Sequence, residues 1–327
     1  MSLPTLNWKA LPLVTLTSGT INAVIEGIYN AFTSSIYLDG SPRVTGSASA
    51  WTIAQEVSGS TIEAVWCIAP TGSLNQRVIL AGSSRTGLTP QLASPDTVYA
   101  PATLYVSVAK NASTYTSWNN AAPFSSGSFF GFWKTWVTSS GTPQIVRCLE
   151  SQEAIAVFIQ NTAANTVYGC VAGAFVDPES TDTGIDSETD NRLYGIATSG
   201  IIAAMSVSNI LNSTTQMFYH GATTGNNHTG IFTPSSGSIK TISRNTIINA
   251  LDIDELTSRS GRLIKIPIIQ KYFASPFNFA GRLREIWAFR DAVIGNTVTD
   301  GATVNGYLIG GNTSATSDCV LFSTGSN

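Results

Sequence analysis

Ile62-Glu63-Ala64-Val65-Trp66-Cys67-Ile68 alternates residue by residue, and Ala69-Pro70-Thr71-Gly72 closes it. Side chains of a strand point to opposite faces in turn, so Ile62, Ala64, Trp66 and Ile68 share one face. The Pro and Gly that follow predict a turn. The same grammar recurs along the chain. Leu104, Val106 and Val108 alternate with Tyr105 and Ser107, and Ile145, Arg147 and Leu149 oppose Val146 and Cys148. Residues 167–176 are nearly all apolar or Gly, as in a strand covered on both sides. Residues 262–269 and 284–290 continue the style. Asp39-Gly40-Ser41-Pro42, Ser139-Ser140-Gly141-Thr142-Pro143 and Pro234-Ser235-Ser236-Gly237 supply further turns. Many short strands with such punctuation predict a mainly β chain, with an antiparallel sandwich or jelly-roll-like body.

One segment reads as helix. Within residues 18–33, Ile21, Val24, Ile25, Ile28, Tyr29 and Phe32 recur at three- and four-residue spacing and form one apolar stripe. Thr17 or Ser18 is placed to cap its first amides. Gly27 falls off the stripe and costs about 1 kcal/mol relative to Ala. The stripe has two uses: packing on a sheet, or docking a neighbouring subunit. The second makes Ile21 and Ile25 interface candidates.

The whole chain, residues 1–327, reads as a single compact body, since no charged or Pro-rich linker divides it. Residues 199–260 are richer in Thr, Asn, Gly and Ser and read as a surface insertion or subdomain within it. Gly261-Arg262-Leu263-Ile264-Lys265-Ile266 is echoed by Gly281-Arg282-Leu283-Arg284-Glu285-Ile286. Two units are too few for an array, so the echo predicts two neighbouring strands.

Only 11% of residues are charged, against about 25% in a typical soluble domain. Polarity comes instead from 39 serines and 39 threonines. The net charge is −3, and the 17 Lys and Arg are scattered, which gives no footprint for nucleic acid. The longest apolar runs, such as Ala154-Ile155-Ala156-Val157-Phe158-Ile159, are far short of a membrane span. The first residues lack the pattern of a secretory signal. Cys67, Cys148, Cys170 and Cys319 are widely separated, with no CxxC pair for zinc, and are expected as buried free thiols.

Few charges leave few acids, bases and ligands for chemistry. Six of the 20 acidic residues, Asp177, Glu179, Asp182, Asp186, Glu188 and Asp190, lie within fourteen positions. An oxygen-rich loop of this kind can hold Ca²⁺, but the spacing is not that of an EF-hand, and a solvated acidic loop is the simpler reading. The only histidines, His220 and His228, are eight apart and could meet across a hairpin. No nucleophile elbow, phosphate loop or dinucleotide fingerprint is present. The expectation is no catalysis and no cofactor. Aromatic residues cluster at Trp118-Asn119-Asn120-Ala121-Ala122-Pro123-Phe124 and at Phe129-Phe130-Gly131-Phe132-Trp133-Lys134-Thr135-Trp136. The second cluster has aromatics of both parities, which predicts burial on both faces, in a core or between subunits. Phe130, Trp133 and Trp136 are therefore interface candidates.

Several segments carry a family resemblance. They are Asn278-Phe279-Ala280-Gly281-Arg282-Leu283-Arg284-Glu285-Ile286-Trp287-Ala288-Phe289-Arg290, Val298-Thr299-Asp300-Gly301, Gly306-Tyr307-Leu308-Ile309-Gly310 and Ser317-Asp318-Cys319-Val320-Leu321-Phe322. Together they resemble the C-terminal portion of uncharacterised virion structural proteins of tailed bacteriophages. Gly173-Ala174-Phe175-Val176-Asp177-Pro178-Glu179-Ser180 and Asn75-Gln76-Arg77-Val78-Ile79-Leu80-Ala81-Gly82 have the same flavour. The resemblance implies a structural subunit of the virion, made in the bacterial host. It would assemble with copies of itself and with other virion proteins, in head, neck, tail or baseplate. It transfers no catalytic residue. Two other readings are a tail module that binds a host receptor or glycan through Trp118 and Trp133, and a polysaccharide-degrading enzyme using Asp177 and Asp182.

Overall fold

The computed structural model describes residues 8–45, 50–70, 76–82, 89–90, 103–114, 117–122, 128–134, 144–152, 154–161, 166–174, 194–198, 216–221, 228–232, 264–270, 278–292, 297–300, 303–309 and 317–323. Two short strands come first, β1 (Lys9–Ala10) and β2 (Val14–Leu16), then the helix α1 (Ile21–Thr33). Next are β3 (Thr52–Ser58), β4 (Thr61–Ile68), β5 (Gln76–Gly82), β6 (Thr89–Pro90), β7 (Thr103–Thr114), β8 (Ser117–Ala122) and β9 (Ser128–Lys134). A run of neighbours follows: β10 (Gln144–Glu150), β11 (Ala154–Asn161), β12 (Thr166–Ala174), β13 (Tyr194–Thr198), β14 (Gln216–Gly221) and β15 (His228–Phe232). The last are β16 (Ile264–Gln270), β17 (Asn278–Ala292), β18 (Thr297–Asp300), β19 (Thr303–Ile309) and β20 (Ser317–Ser323).

Among the described residues the architecture is mostly antiparallel β sheet with one helix, as the alternation predicts. β10 to β15 form an antiparallel meander in chain order. β1 and β2 lie along the free edge of β10, with Ala10 opposite Leu149 and Val14 opposite Val146. A second sheet has the order β3-β4-β5-β7-β9-β6, with β8 beside β7. Its β6–β9 contact is parallel; the other pairs named here are antiparallel. A third sheet has the order β16-β17-β20-β19-β18. Here the second echoed segment lies on β17 and the described part of the first, residues 264–266, on its antiparallel neighbour β16. Among the described strands β16 lies at the edge of its sheet, where the missing amide of Pro267 is tolerated, and the register shifts beside it. β14 and β15 lie inside the stretch expected as an insertion or subdomain; they extend the meander.

One apolar cluster joins the helix to the first two sheets. Val24, Ile25, Ile28 and Phe32 of α1 meet Val65 and Cys67 of β4, Leu104 and Val106 of β7, and Val146, Cys148, Val157 and Cys170 of β10 to β12. The helix stripe is thus used inside the chain's own core: Ile25 is fully buried and Ile21 nearly so. These two interface candidates are core residues of their own chain. Burying one such side chain contributes about 1.5–3 kcal/mol, and the periodic stripe lets all of them share one face.

Two local expectations are corrected, and the faces of one strand are assigned. The helix is capped by Thr20, whose Oγ1 accepts from the Ala23 amide at 3.4 Å, while Ser18 Oγ accepts from the Thr20 amide at 3.3 Å. Gly27 is not on an idle face. It is buried where α1 crosses β2 and β10, and an added Cβ would lie 3.2 Å from both Leu16 Cδ2 and Val146 Cγ2. In β4 the shared cluster takes Val65 and Cys67, the face opposite Trp66. Ala64 is also buried, so this strand is covered on both sides near its middle.

β11 is buried at every position from Ala154 to Gln160, which explains its continuous apolar run. Phe158 lies opposite Gly169 on β12, and its ring occupies the space a side chain at 169 would need. A Cβ there would also come within 2.6 Å of the Val157 carbonyl oxygen, which the ladder holds in place. Gly169→Ala is therefore expected to destabilise by about 1–3 kcal/mol, the range for overpacking a filled core. Urea unfolding checks this; an unchanged midpoint would show that the Phe158–Gly169 contact is loose.

Candidate functional site

Residues 34–44 fold back on themselves as a small hairpin. Ile36 bridges Pro42, the Arg43 amide donates to the Ser35 carbonyl at 2.8 Å, and the Tyr37 amide donates to the Ser41 carbonyl at 2.9 Å. Gly40 has φ +81°, in the left-handed region that a turn tip demands of glycine. The Asp39 carboxylate accepts from the Ser41 amide at 2.9 Å and the Ser41 hydroxyl at 2.6 Å. These hydrogen bonds hold its pKa below the usual value. The hairpin has two faces. Tyr37 and Arg43 point inward and are buried. Ile36, Leu38, Pro42 and Val44 lie on the other face and are exposed.

Arg43 is the centre of a buried clamp. Its Nε donates to Glu150 Oε1 at 2.8 Å and its Nη2 to Oε2 at 2.9 Å. Nη1 donates to the Phe32 carbonyl at 2.7 Å, and Nη2 also donates to the Trp51 carbonyl. The Trp51 amide donates to Glu150 Oε2 at 3.1 Å, and its indole Nε1 donates to the Ser151 carbonyl at 2.7 Å. Both charged side chains are fully buried. Burial by itself lowers the Arg43 pKa; the hydrogen bond and charge of Glu150 outweigh this and raise it. Every nitrogen of the fork donates and both carboxylate oxygens accept, so the pair is built to hold the chain together. It ties the end of α1, the hairpin, the start of β3 and the end of β10 to a single point.

The thiols make a second buried group. Cys148 and Cys170 both flank Val157, one on each neighbouring strand, and Cys67 belongs to the same cluster from the other sheet. All three are free and buried. Burial pushes each pKa up, strongly for Cys67 and Cys148, and the neighbouring thiols add to it. They remain protonated at neutral pH, and a protonated thiol is a poor nucleophile. Among the described residues no group of His, Cys, Asp and Glu is arranged to hold a metal ion. No helix among them is long and apolar enough to cross a membrane.

The remaining candidates divide. His220 pairs with Thr229, and His228 pairs with Gly221. The two histidine positions thus alternate and fall on opposite faces of the ladder, which separates a pair that the hairpin reading could bring together. Phe130 lies opposite Val106 and Trp133 opposite Leu104, both partners being fully buried. A register shift between Leu104 and Tyr105 lets these two positions of unlike parity oppose the same core face. Trp136 and the acidic residues Asp177, Glu179, Asp182, Asp186, Glu188 and Asp190 lie outside the described residues.

Sequence reasoning missed the clamp. The parity of β10 does carry a signal for half of it, since Glu150 is in step with the core residues Val146 and Cys148. Nothing local announces Arg43 as its partner 107 positions away. The exposed hairpin face was missed too, although Ile36, Leu38, Pro42 and Val44 share one parity around the Asp39-Gly40 turn. No family model, curated protein or solved structure matches this chain.

Proposed function

We propose that this chain is a structural subunit of a tailed-phage virion. Its two core-sharing sheets close as a β-sandwich, and it works by assembly with copies of itself and other virion proteins. The observation that carries the reading is the outward apolar face of residues 34–44. A half-buried β ribbon ordinarily turns its polar side chains to water. Here Ile36 is 48% exposed, Leu38 42% and Val44 62%, on a chain with little net charge to keep copies apart. Apolar surface of this kind gains from burial against a protein neighbour at small electrostatic cost. The family resemblance of the C-terminal segments agrees with that use.

Assembly by such surfaces needs a stiff body, and the clamp and the shared core supply it. Glycan binding through Trp118 and Trp133, and polysaccharide cleavage by Asp177 and Asp182, draw on side chains outside those the structure describes. The test is whether the chain is retained, in multiple copies, in particles purified from the infected host.

A further inference from the structure

We infer that Arg147 and Gln160, on the face of the β10–β11 pair turned away from the shared core, form a binding point for a carboxylate group. The inference stands apart from the virion reading, because it concerns the chemical group taken and not the particle. Val146 and Cys148 of β10 and Val157 and Ile159 of β11 belong to the shared core, so Arg147, Phe158 and Gln160 lie on the opposite face. Arg147 is partly buried there, and its Nε donates to Gln160 Oε1 at 3.0 Å. Gln160 is only 6% exposed, so this hydrogen bond holds the guanidinium in one place. Among the described residues no carboxylate pairs with Arg147, and neither Nη1 nor Nη2 has an acceptor. Among them Gln160 Nε2, on the same carbon as the accepting oxygen, likewise has none.

The chemistry of these donors selects the ligand. Burial lowers the Arg147 pKa and no neighbouring acid offsets it, yet a guanidinium stays charged at neutral pH. A partly dehydrated cation without a counter-charge gains more from an anion than a fully solvated one does. Arg43 shows the pairing within this chain, its Nε and Nη2 both met by the Glu150 carboxylate. At Arg147 the Gln160 oxygen takes Nε, which leaves the Nη1 and Nη2 hydrogens and the amide N–H₂ to donate. The planar pair of oxygens of a carboxylate suits such donors, and its single charge balances one guanidinium. A phosphate ester carries about −1.5 to −2 at pH 7 and calls for more than one cation. The sheet edge beside Arg147 is open to solvent. β1 ends with Ala10 opposite Leu149, β2 begins with Val14 opposite Val146, and the Leu11 amide donates to the Cys148 carbonyl at 2.9 Å. Pro12 and Leu13 therefore both stand opposite Arg147, a local break in the ladder, and Leu13 is 42% exposed.

NMR of the full chain tests this, with acetate replacing chloride at constant ionic strength. The signal is the Arg147 Nε–H resonance, identified by its absence in Arg147→Lys. Acetate should shift it saturably, with half-saturation at roughly 10–100 mM, as one charge-assisted hydrogen bond provides. Gln160→Glu sets a carboxylate beside the guanidinium within the chain. It should abolish the response to acetate and keep or raise the urea midpoint. Lys9→Gln, at a half-exposed cation paired with Asp39, should leave the response unchanged. Inorganic phosphate should bind no more tightly than acetate. A glycine peptide with a free C-terminal carboxylate, compared with its amide, separates the sources. Binding tighter than acetate assigns the site to a protein terminus, and binding equal to acetate assigns it to a lone carboxylate. The inference is overturned by a response to acetate that does not saturate, that survives Gln160→Glu or that falls in Lys9→Gln. A lowered urea midpoint in Gln160→Glu, or a preference for phosphate of about tenfold, also overturns it. Particle composition does not bear on these results, so this site and the virion role fail separately.

Discussion

Glu150→Ala is expected to lower the unfolding free energy by about 3–5 kcal/mol, the cost of stranding one partner of a buried ion pair. The substitution leaves the Arg43 guanidinium fully buried without its counter-charge. It also takes the acceptor from the Trp51 amide. Arg43→Ala should cost a similar amount, by stranding the carboxylate and releasing the Phe32 and Trp51 carbonyls. The pair itself need not be strongly stabilising, because two charges must leave water to form it. Arg43→Met combined with Glu150→Leu should therefore recover the part of the loss due to the stranded charge, but not the part due to the Phe32 and Trp51 backbone groups left without partners. Urea unfolding of the wild type, the two single variants and the double variant compares these costs. Single variants that cost less than about 1 kcal/mol would place the pair in water, where salt bridges contribute little.

The second large effect is alkaline. Unfolded thiols titrate near 9.0, while burial holds those of Cys67, Cys148 and Cys170 well above that in the folded protein. Above pH 9 the unfolded chain has lost these protons and the folded chain has kept them. Stability then falls as pH rises, because the folded state binds more protons. The contribution is fully present below pH 9 and is lost upward from there. Each thiol adds about 1.4 kcal/mol per pH unit, so three give a slope of about 4 kcal/mol per unit once the unfolded thiols are ionised. Tyr and Lys also titrate in this range. The measurement is therefore the difference in slope between wild type and a Cys67→Ala, Cys148→Ala, Cys170→Ala variant, by urea unfolding at pH 9 to 11. Equal slopes would mean that the thiols are solvated in the folded state.

How much of this was legible beforehand depended on range. Helix and strands were legible because their signals are local. The stripe from Ile21 to Phe32 fixes a helix, and the alternation from Ile62 to Ile68 fixes a strand, from side-chain geometry alone. Finer local features depended on neighbours. Thr20, Ser18 and Thr17 are all fit to cap, and only the fold of residues 14–20 selects Thr20. Gly27 looked idle because its role lies in what crosses it, Leu16 and Val146. The two faces of β4 are both apolar, so alternation could not say which one meets the helix. The clamp is the extreme case: Arg43 and Glu150 are paired by topology, with the N-terminal segment running along the edge of β10. The hairpin face was legible in principle from the parity of residues 36, 38, 42 and 44. It looked like ordinary apolar content until burial showed which side faced water.

The most direct test of the virion role is quantitative mass spectrometry of purified particles. The particles come from host cells carrying the genome that encodes this chain, and its peptides are compared with those of the major particle protein. The account predicts peptides spanning the chain at several copies per particle, a number set by the symmetry of the assembly. A chain abundant in the lysate and absent from the particles would contradict it.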